Sequence, residues 1–169
     1  MHKRRAPKRV RFAVIIVSTS RHEAKRAGRS FKDLSGDLIA DSLGKRGHEV
    51  VFREIVPDDS SSILRALSNS VSKGAEAIIF SGGTGISPCD VTIETIEPVL
   101  GKVVPGFGEL FRSLSYKEIG SSALLSRALA GAHQGKVVFV IPGSPDAARL
   151  AIERLIVPEI GHILAHLKE

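Results

Sequence analysis

The chain of 169 residues has no Trp, one Met, one Cys and only two side-chain amides, Asn69 and Gln134. A lone Cys89 cannot bridge within the chain, which excludes a disulfide scaffold. No apolar run approaches the length of a membrane span. Scarcity of heat-labile amides and Met points to a source that grows hot. Internal repeats and low-complexity stretches are missing as well. What remains is 43% hydrophobic and 25% charged, enough apolar content for a core of ordinary size rather than disorder.

The net charge of +6 is unevenly placed. Lys3, Arg4, Arg5, Lys8, Arg9 and Arg11 fall within the first eleven positions without an acid. The rest of the chain then carries 18 basic and 18 acidic residues. Residues 1–10 therefore read as a basic arm and 11–169 as one neutral domain. The arm can attract polyanions or simply aid solubility, whereas the neutral body gives no reason to expect a nucleic-acid-binding face. The apolar run Phe12 to Val17 after the basic start is too short for a signal-peptide core, so a reducing cytoplasm is the expected location.

Four apolar segments stand out: Phe12 to Val17, Val50 to Val56, Ala77 to Phe80 and Val137 to Ile141. Three lack alternation, as strands of a parallel sheet covered on both faces do. Arg53 and Glu54 interrupt the second, which places it nearer an edge. Helical spacing lies between them. Leu34, Leu38, Ile39 and Leu43 share one face, and Ile63, Leu64, Leu67 and Val71 share another after Asp59 as N-cap. A last helical stretch runs over Ala147 to His166, with Pro158 set to kink or restart it. This alternation predicts an α/β fold, a three-layer doubly wound, mostly parallel sheet. Residues 101–135, rich in glycine, read as a helical excursion over that sheet, with short helices at Glu109 to Leu114 and Ala123 to Ala130. Phe107, Leu110, Phe111 and Leu114 in it are expected to be exposed to partners.

Ligands of such sheets sit beyond the carboxyl ends of the strands. Four polar, turn-forming loops fall there: Ser18-Thr19-Ser20-Arg21, Pro57-Asp58-Asp59, the run from Ser81 to Asp90, and Pro142-Gly143-Ser144-Pro145-Asp146. Gly82, Gly83 and Gly85, with Thr84 between them, allow positive φ and close approach of backbone amides to an anion. No Lys follows as in a Walker A loop, and the dinucleotide fingerprint is absent. Any bound phosphate would need another counter-charge, and carboxylates holding Mg²⁺ can supply it. Asp58 and Asp90 each stand just past a strand end and are the candidates. Capping a helix is the competing role for both, although Asp59 is the better cap beside Asp58. His162 and His166, four apart on a helix, have metal-binding spacing, but no third ligand is evident and both also suit a helix C-terminus. No Ser/His/Asp or Cys/His arrangement is visible around Cys89, Ser126 or Ser144.

From Ser81-Gly82-Gly83-Thr84-Gly85 through Asp90-Val91-Thr92 the chain resembles the MoaB/MogA family of molybdenum cofactor biosynthesis, with the related domains of gephyrin and plant Cnx proteins. Pro105 to Arg112, Ile119 to Ala128, and Ile141 to Pro145 with Ala147-Ala148-Arg149 are similar to further family motifs in the same order. The likeness runs from Arg11 to the C-terminus, and its middle motifs are closer to the B-type branch. It implies a MogA-like molybdopterin-binding fold, a homotrimer or homohexamer, and possible contacts with other cofactor-biosynthesis enzymes. It also implies Mg²⁺-dependent transfer of adenylate from ATP to molybdopterin. The family's two functional aspartates fall on Asp58 and Asp90, its glycine loop on Gly82 to Gly85, and its pterin-side loop on Pro142 to Pro145. Two positions depart from the pattern. Cys89 stands where the family often has Arg or Lys, and Thr19-Ser20-Arg21 where it often has Ser-Asp-Arg. The alternative is a catalytically silent molybdopterin-binding or scaffold protein.

Overall fold

A computed structural model describes residues 7–169; the acid-free segment 1–6, most of the expected arm, lies outside the described residues. Ordered packing already includes Val10, fully buried, and Arg9, whose guanidinium donates to Glu49 at 2.8 Å. The chain then runs β1 (Arg11–Val17), α1 (Thr19–Arg26), α2 (Leu34–Lys45), β2 (Glu49–Val56), α3 (Ser60–Ser72), β3 (Ala77–Ser81) and α4 (Thr92–Ile96). After a 3₁₀ turn come β4 (Lys102–Val103), α5 (Pro105–Ile119), β5 (Leu129–His133), β6 (Lys136–Ile141), α6 (Pro145–Ala151) and α7 (Val157–Leu167).

The six strands lie in the order β2-β1-β3-β6-β5-β4. The four expected strands are β2, β1, β3 and β6, all parallel, with β2 at an edge as its charges foretold. Alternate residues of β1 feed opposite layers. Phe12, Val14 and Ile16 join Ile39, Leu43, Phe107, Phe111 and Ile160 on one face. Ala13, Ile15 and Val17 join Ile63, Ala66, Leu67 and Ile96 on the other. The architecture is therefore the expected three-layer α/β sheet. Because β1 pairs with β2 on one side and β3 on the other, the winding reverses between β1 and β3. That reversal opens a crevice at the carboxyl ends of these two strands.

Several local expectations need correction. The 101–135 excursion is helical only in part. The segment Leu129–His133 is a strand antiparallel to β6, and Gly120–Leu125 is a 3₁₀ turn, so no α-helix spans Ala123 to Ala130. Phe107 and Phe111 are buried under the sheet rather than offered to partners; Leu110 alone of that quartet is clearly exposed. The apolar side of α5 turns inward because the sheet face beneath it must be covered. The final helix is interrupted as predicted. Pro158 lacks the N–H that would continue the ladder, and a single π turn over Ile152–Ile156 precedes α7.

Candidate active site at the switch point

Ser18 ends β1 and begins α1. Its extended backbone and its hydroxyl, which accepts from the Arg21 N–H at 3.4 Å, make it an N-cap. Thr19 and Ser20 thus open a helix rather than a loop. This helix escaped notice because α1 buries no residue and carries no apolar stripe. Thr19 donates both its backbone N–H, at 3.0 Å, and its hydroxyl, at 2.8 Å, to Oδ2 of Asp58. The Asp58 N–H returns a bond to the Thr19 hydroxyl at 3.0 Å. Asp58 is therefore locked to the amino end of α1, where the helix dipole favours a negative group. Asp59, next to it, does what was expected of it. It caps α3 through the Ser62 N–H at 2.9 Å. Hydrogen bonds from Ser61 and Ser62 hold its carboxyl down to about 2.

The glycine loop leaves β3 in the centre of the crevice. Gly82 and Gly83 have φ of +114° and +63°, which L side chains rarely adopt. A Cβ on Gly82 would overlap the Val17 carbonyl, and one on Gly83 would overlap the Thr92 hydroxyl. That hydroxyl donates to the Gly82 carbonyl at 2.8 Å, while the Thr92 N–H donates to the Gly83 carbonyl at 3.0 Å. The carbonyls on this side of the loop are thereby engaged. Thr84 is buried, and Ser81 donates to the Pro142 carbonyl at 3.2 Å.

Both candidate acids lie against this loop. A Cβ placed on Gly83 would sit 3.0 Å from Oδ1 of Asp58, and one placed on Gly85 would sit 2.5 Å from Oδ2 of Asp90. The two carboxylates, 32 positions apart in the chain, meet the loop two residues from one another. Asp90 accepts from the Ser87 N–H at 3.0 Å and caps no helix; α4 begins after Val91 without a side-chain cap. The competing role of Asp90 as a helix cap is thus absent. Among the described residues, Oδ1 of each acid accepts no hydrogen bond, and two partly exposed carboxylate oxygens of this kind suit a hard cation such as Mg²⁺. Among the described residues Cys89, exposed, reaches only the Ser87 hydroxyl at 3.2 Å.

The fourth loop closes the crevice. A Cβ on Gly143 would lie 3.2 Å from Cα of Gly82, so the Pro142–Pro145 turn packs directly on the glycine loop. Ser35, fully buried in α2, donates to the Gly143 carbonyl at 2.6 Å. Asp33 caps that helix at Gly36, 3.1 Å away, and takes the Arg53 guanidinium at 2.7 Å. Ser144 caps α6 through the Ala147 N–H at 3.2 Å. The Pro142–Pro145 turn therefore touches Gly82, Asp58 reaches Gly83, and Thr19 joins the site through its bonds to Asp58.

Arg127 was not foreseen as part of this site. Its Nε donates to the Thr84 carbonyl at 2.9 Å, Nη2 to the Gly85 carbonyl at 2.7 Å, and Nη1 to Glu94. The hydrogen bond from Arg127 holds the Glu94 carboxyl below its usual range. This planar fork fixes the far half of the loop. Ser35 and Asp33 were missed as well, since their partners are main-chain groups or the distant Arg53, which residue types do not betray.

A doubly wound α/β protein with a glycine loop and two carboxylates at its switch point belongs to the class of open-sheet proteins whose ligands sit in that crevice. The description "Probable molybdopterin binding domain" matches residues 13–162. Molybdenum cofactor biosynthesis protein B of Bacillus cereus is 46% identical over 98% of this chain and 95% of its own. Molybdopterin adenylyltransferase of Pyrococcus furiosus is 42% identical over 99% of this chain and 97% of its own. The crystal structure of the tungsten cofactor synthesizing protein MoaB from Pyrococcus furiosus superposes with a TM-score of 0.86, at 42% identity, over 97% of this chain and all of that one. The chain belongs to the molybdopterin-binding MoaB/MogA family of molybdenum cofactor biosynthesis.

Proposed function

We propose that this chain is a molybdopterin adenylyltransferase that uses ATP and Mg²⁺. The observation that carries the reading is the convergence of Asp58 and Asp90 on one glycine loop at the switch point. The 42% identity to an adenylyltransferase along nearly the whole chain supports the same reaction. Asp58 and Asp90 would hold Mg²⁺, which would neutralise polyphosphate charge as it develops. The Gly82–Gly85 backbone, braced by Thr92 and Arg127, positions the phosphates, and Pro142–Pro145 borders the pterin side. A terminal phosphate oxygen of molybdopterin attacks the α-phosphorus of ATP. The new P–O bond forms as the α–β bridge breaks, giving adenylyl-molybdopterin and pyrophosphate. In-line geometry is what the rigid loop contributes.

A cytoplasmic setting, where ATP is supplied, agrees with this reading. Among the described residues, no helix is long and apolar enough to cross a membrane. The rival reading is a silent molybdopterin binder, favoured by Cys89 and Ser20, the two positions that depart from the pattern of the family resemblance. Incubation with molybdopterin and MgATP, read by pyrophosphatase-coupled phosphate release, separates the two. Turnover is expected in the wild type. Asp58→Asn or Asp90→Asn should lower it by about 100-fold or more while sparing molybdopterin binding. Binding without pyrophosphate release would establish the silent alternative, and full turnover in both variants would refute the assigned roles.

A further inference from the structure

The two carboxylate oxygens of Asp58 are held in different ways. Oδ2 accepts the Thr19 backbone N–H at 3.0 Å and the Thr19 hydroxyl at 2.8 Å. A carboxylate oxygen offers two lone-pair sites, and these two donors fill them. Oδ1 faces the glycine loop, 3.0 Å from where a Cβ on Gly83 would stand, and among the described residues nothing donates to it. The Asp58 N–H closes a ring by donating to the Thr19 hydroxyl at 3.0 Å. One residue thus fixes both the position and the plane of the carboxylate. Branching at Cβ restricts the Thr19 hydroxyl to few orientations, which keeps the ring closed. The backbone behind the contact is held as well: Ser18 caps α1, and its N–H donates to the Val56 carbonyl at 2.8 Å. Asp90 has a similar division, with Oδ2 taking the Ser87 N–H at 3.0 Å.

We propose that Thr19 is a positioning residue that makes Asp58 a one-oxygen ligand and thereby sets the cation preference of the crevice, Mg²⁺ over Ca²⁺. The inference rests on the adenylyltransferase reading above, in which Asp58 and Asp90 hold the metal. Small Mg²⁺ demands near-ideal octahedral geometry and keeps several waters, so it needs only single oxygens from the protein. Larger Ca²⁺ takes more oxygens and often spans both of one carboxylate. A carboxylate whose second oxygen is already filled suits the first ion and denies the second its chelate. For Ca²⁺ to reach Oδ2, both Thr19 hydrogen bonds would have to give way and the ring would open. Thr19 therefore acts on the metal through Asp58, as partners behind metal-bound side chains do.

The test uses the full chain with α,β-methylene ATP, in which the bridge that breaks in the reaction is replaced by carbon. Mn²⁺ standing in for Mg²⁺ is measured by electron paramagnetic resonance against a blank of nucleotide alone, and Mg²⁺ and Ca²⁺ are titrated in as competitors. Mg²⁺ should displace Mn²⁺ from the wild type more readily than Ca²⁺ does. Thr19→Val, which exchanges the hydroxyl for a methyl group of similar size, should weaken Mn²⁺ binding by about 10- to 100-fold and narrow the preference for Mg²⁺. Thr19→Ser, which keeps a hydroxyl, should recover most of both losses. In turnover, Thr19→Val should raise the Mg²⁺ needed for half-maximal rate more than it lowers kcat. Wild-type Mn²⁺ affinity and ion preference in Thr19→Val, with Mn²⁺ binding lost in Asp58→Asn, would overturn the role of Thr19 and leave the metal site standing. Undiminished Mn²⁺ binding in Asp58→Asn would overturn the metal site and this inference with it. A wild type that prefers Ca²⁺, or a Thr19→Ser no better than Thr19→Val, would also refute the assignment.

Discussion

Gly83 shows how tightly single residues are specified in the crevice. Its positive φ, the Thr92 hydroxyl behind it and the Asp58 carboxylate beside it each demand a missing side chain. Gly83→Ala should therefore cost about 1–3 kcal/mol of stability, seen as a lower denaturant midpoint, and should displace Asp58 enough to depress turnover. Arg127 acts at the opposite end of the same loop through two carbonyls and Glu94. Lys keeps its charge but not its fork. Arg127→Lys should raise the KM for ATP, with kcat/KM down by about ten- to 100-fold and molybdopterin affinity unchanged, if the loop serves phosphate. An unaltered ATP profile would remove Arg127 from the site. That Asp58 and Asp90 would both face the glycine loop was readable from sequence because both follow strands that end at one side of the sheet; their binding of a cation is the proposal tested above. Arg127, Ser35 and Asp33 were not readable, because their partners are main-chain groups or residues distant in the chain.

Among elements, legibility followed burial. The runs that became β1, β3 and β6 are sheathed on both faces, and uniform apolar sequence is what that demands. The strand β5 reads Leu-Ala-Gly-Ala-His, small residues without strand bias. It is held by neighbours instead: a Cβ on Gly131 would lie 2.5 Å from the Lys102 carbonyl of β4. Tertiary contact decided that segment, and local preference could not reveal it. Helix starts were readable where a capping residue stood before a stripe, as with Asp59. Its carboxyl is held at about 2, below the usual carboxylate value, so its cap stabilises α3 fully above pH ~4 and fades as pH falls towards about 2. Asp59→Ala should lower the thermal midpoint at neutral pH, and the gap from wild type should close on acidification across that window. A gap that persists at the acid end would show that the ionised cap is not its source.

At the scale of the whole molecule the unanswered question is what covers the outside of α5 and the 3₁₀ turn after it. Burial of Phe107 and Phe111 leaves other apolar side chains outward on the same excursion. Leu124 is 83% exposed, Tyr116 64%, Leu125 58%, Leu110 56% and Ile119 54%. Charged residues do intervene, among them Arg112, Lys117 and Glu118, and scattered apolar exposure alone needs no explanation. Here, however, five large side chains fall within sixteen positions, and we propose that they form an association surface. Self-association into a homotrimer or homohexamer through this face fits the family likeness, and closed rings of identical subunits are how such heterologous surfaces are satisfied. Sedimentation of the wild type should give a discrete oligomer. Leu110→Glu combined with Leu124→Glu, both on exposed positions, should shift it towards monomer without lowering the unfolding midpoint of the monomeric fold. Because Arg127 lies just past this turn, dissociation should also loosen the glycine loop and raise the KM for ATP. A wild type that sediments strictly as monomer would refute self-association through this face.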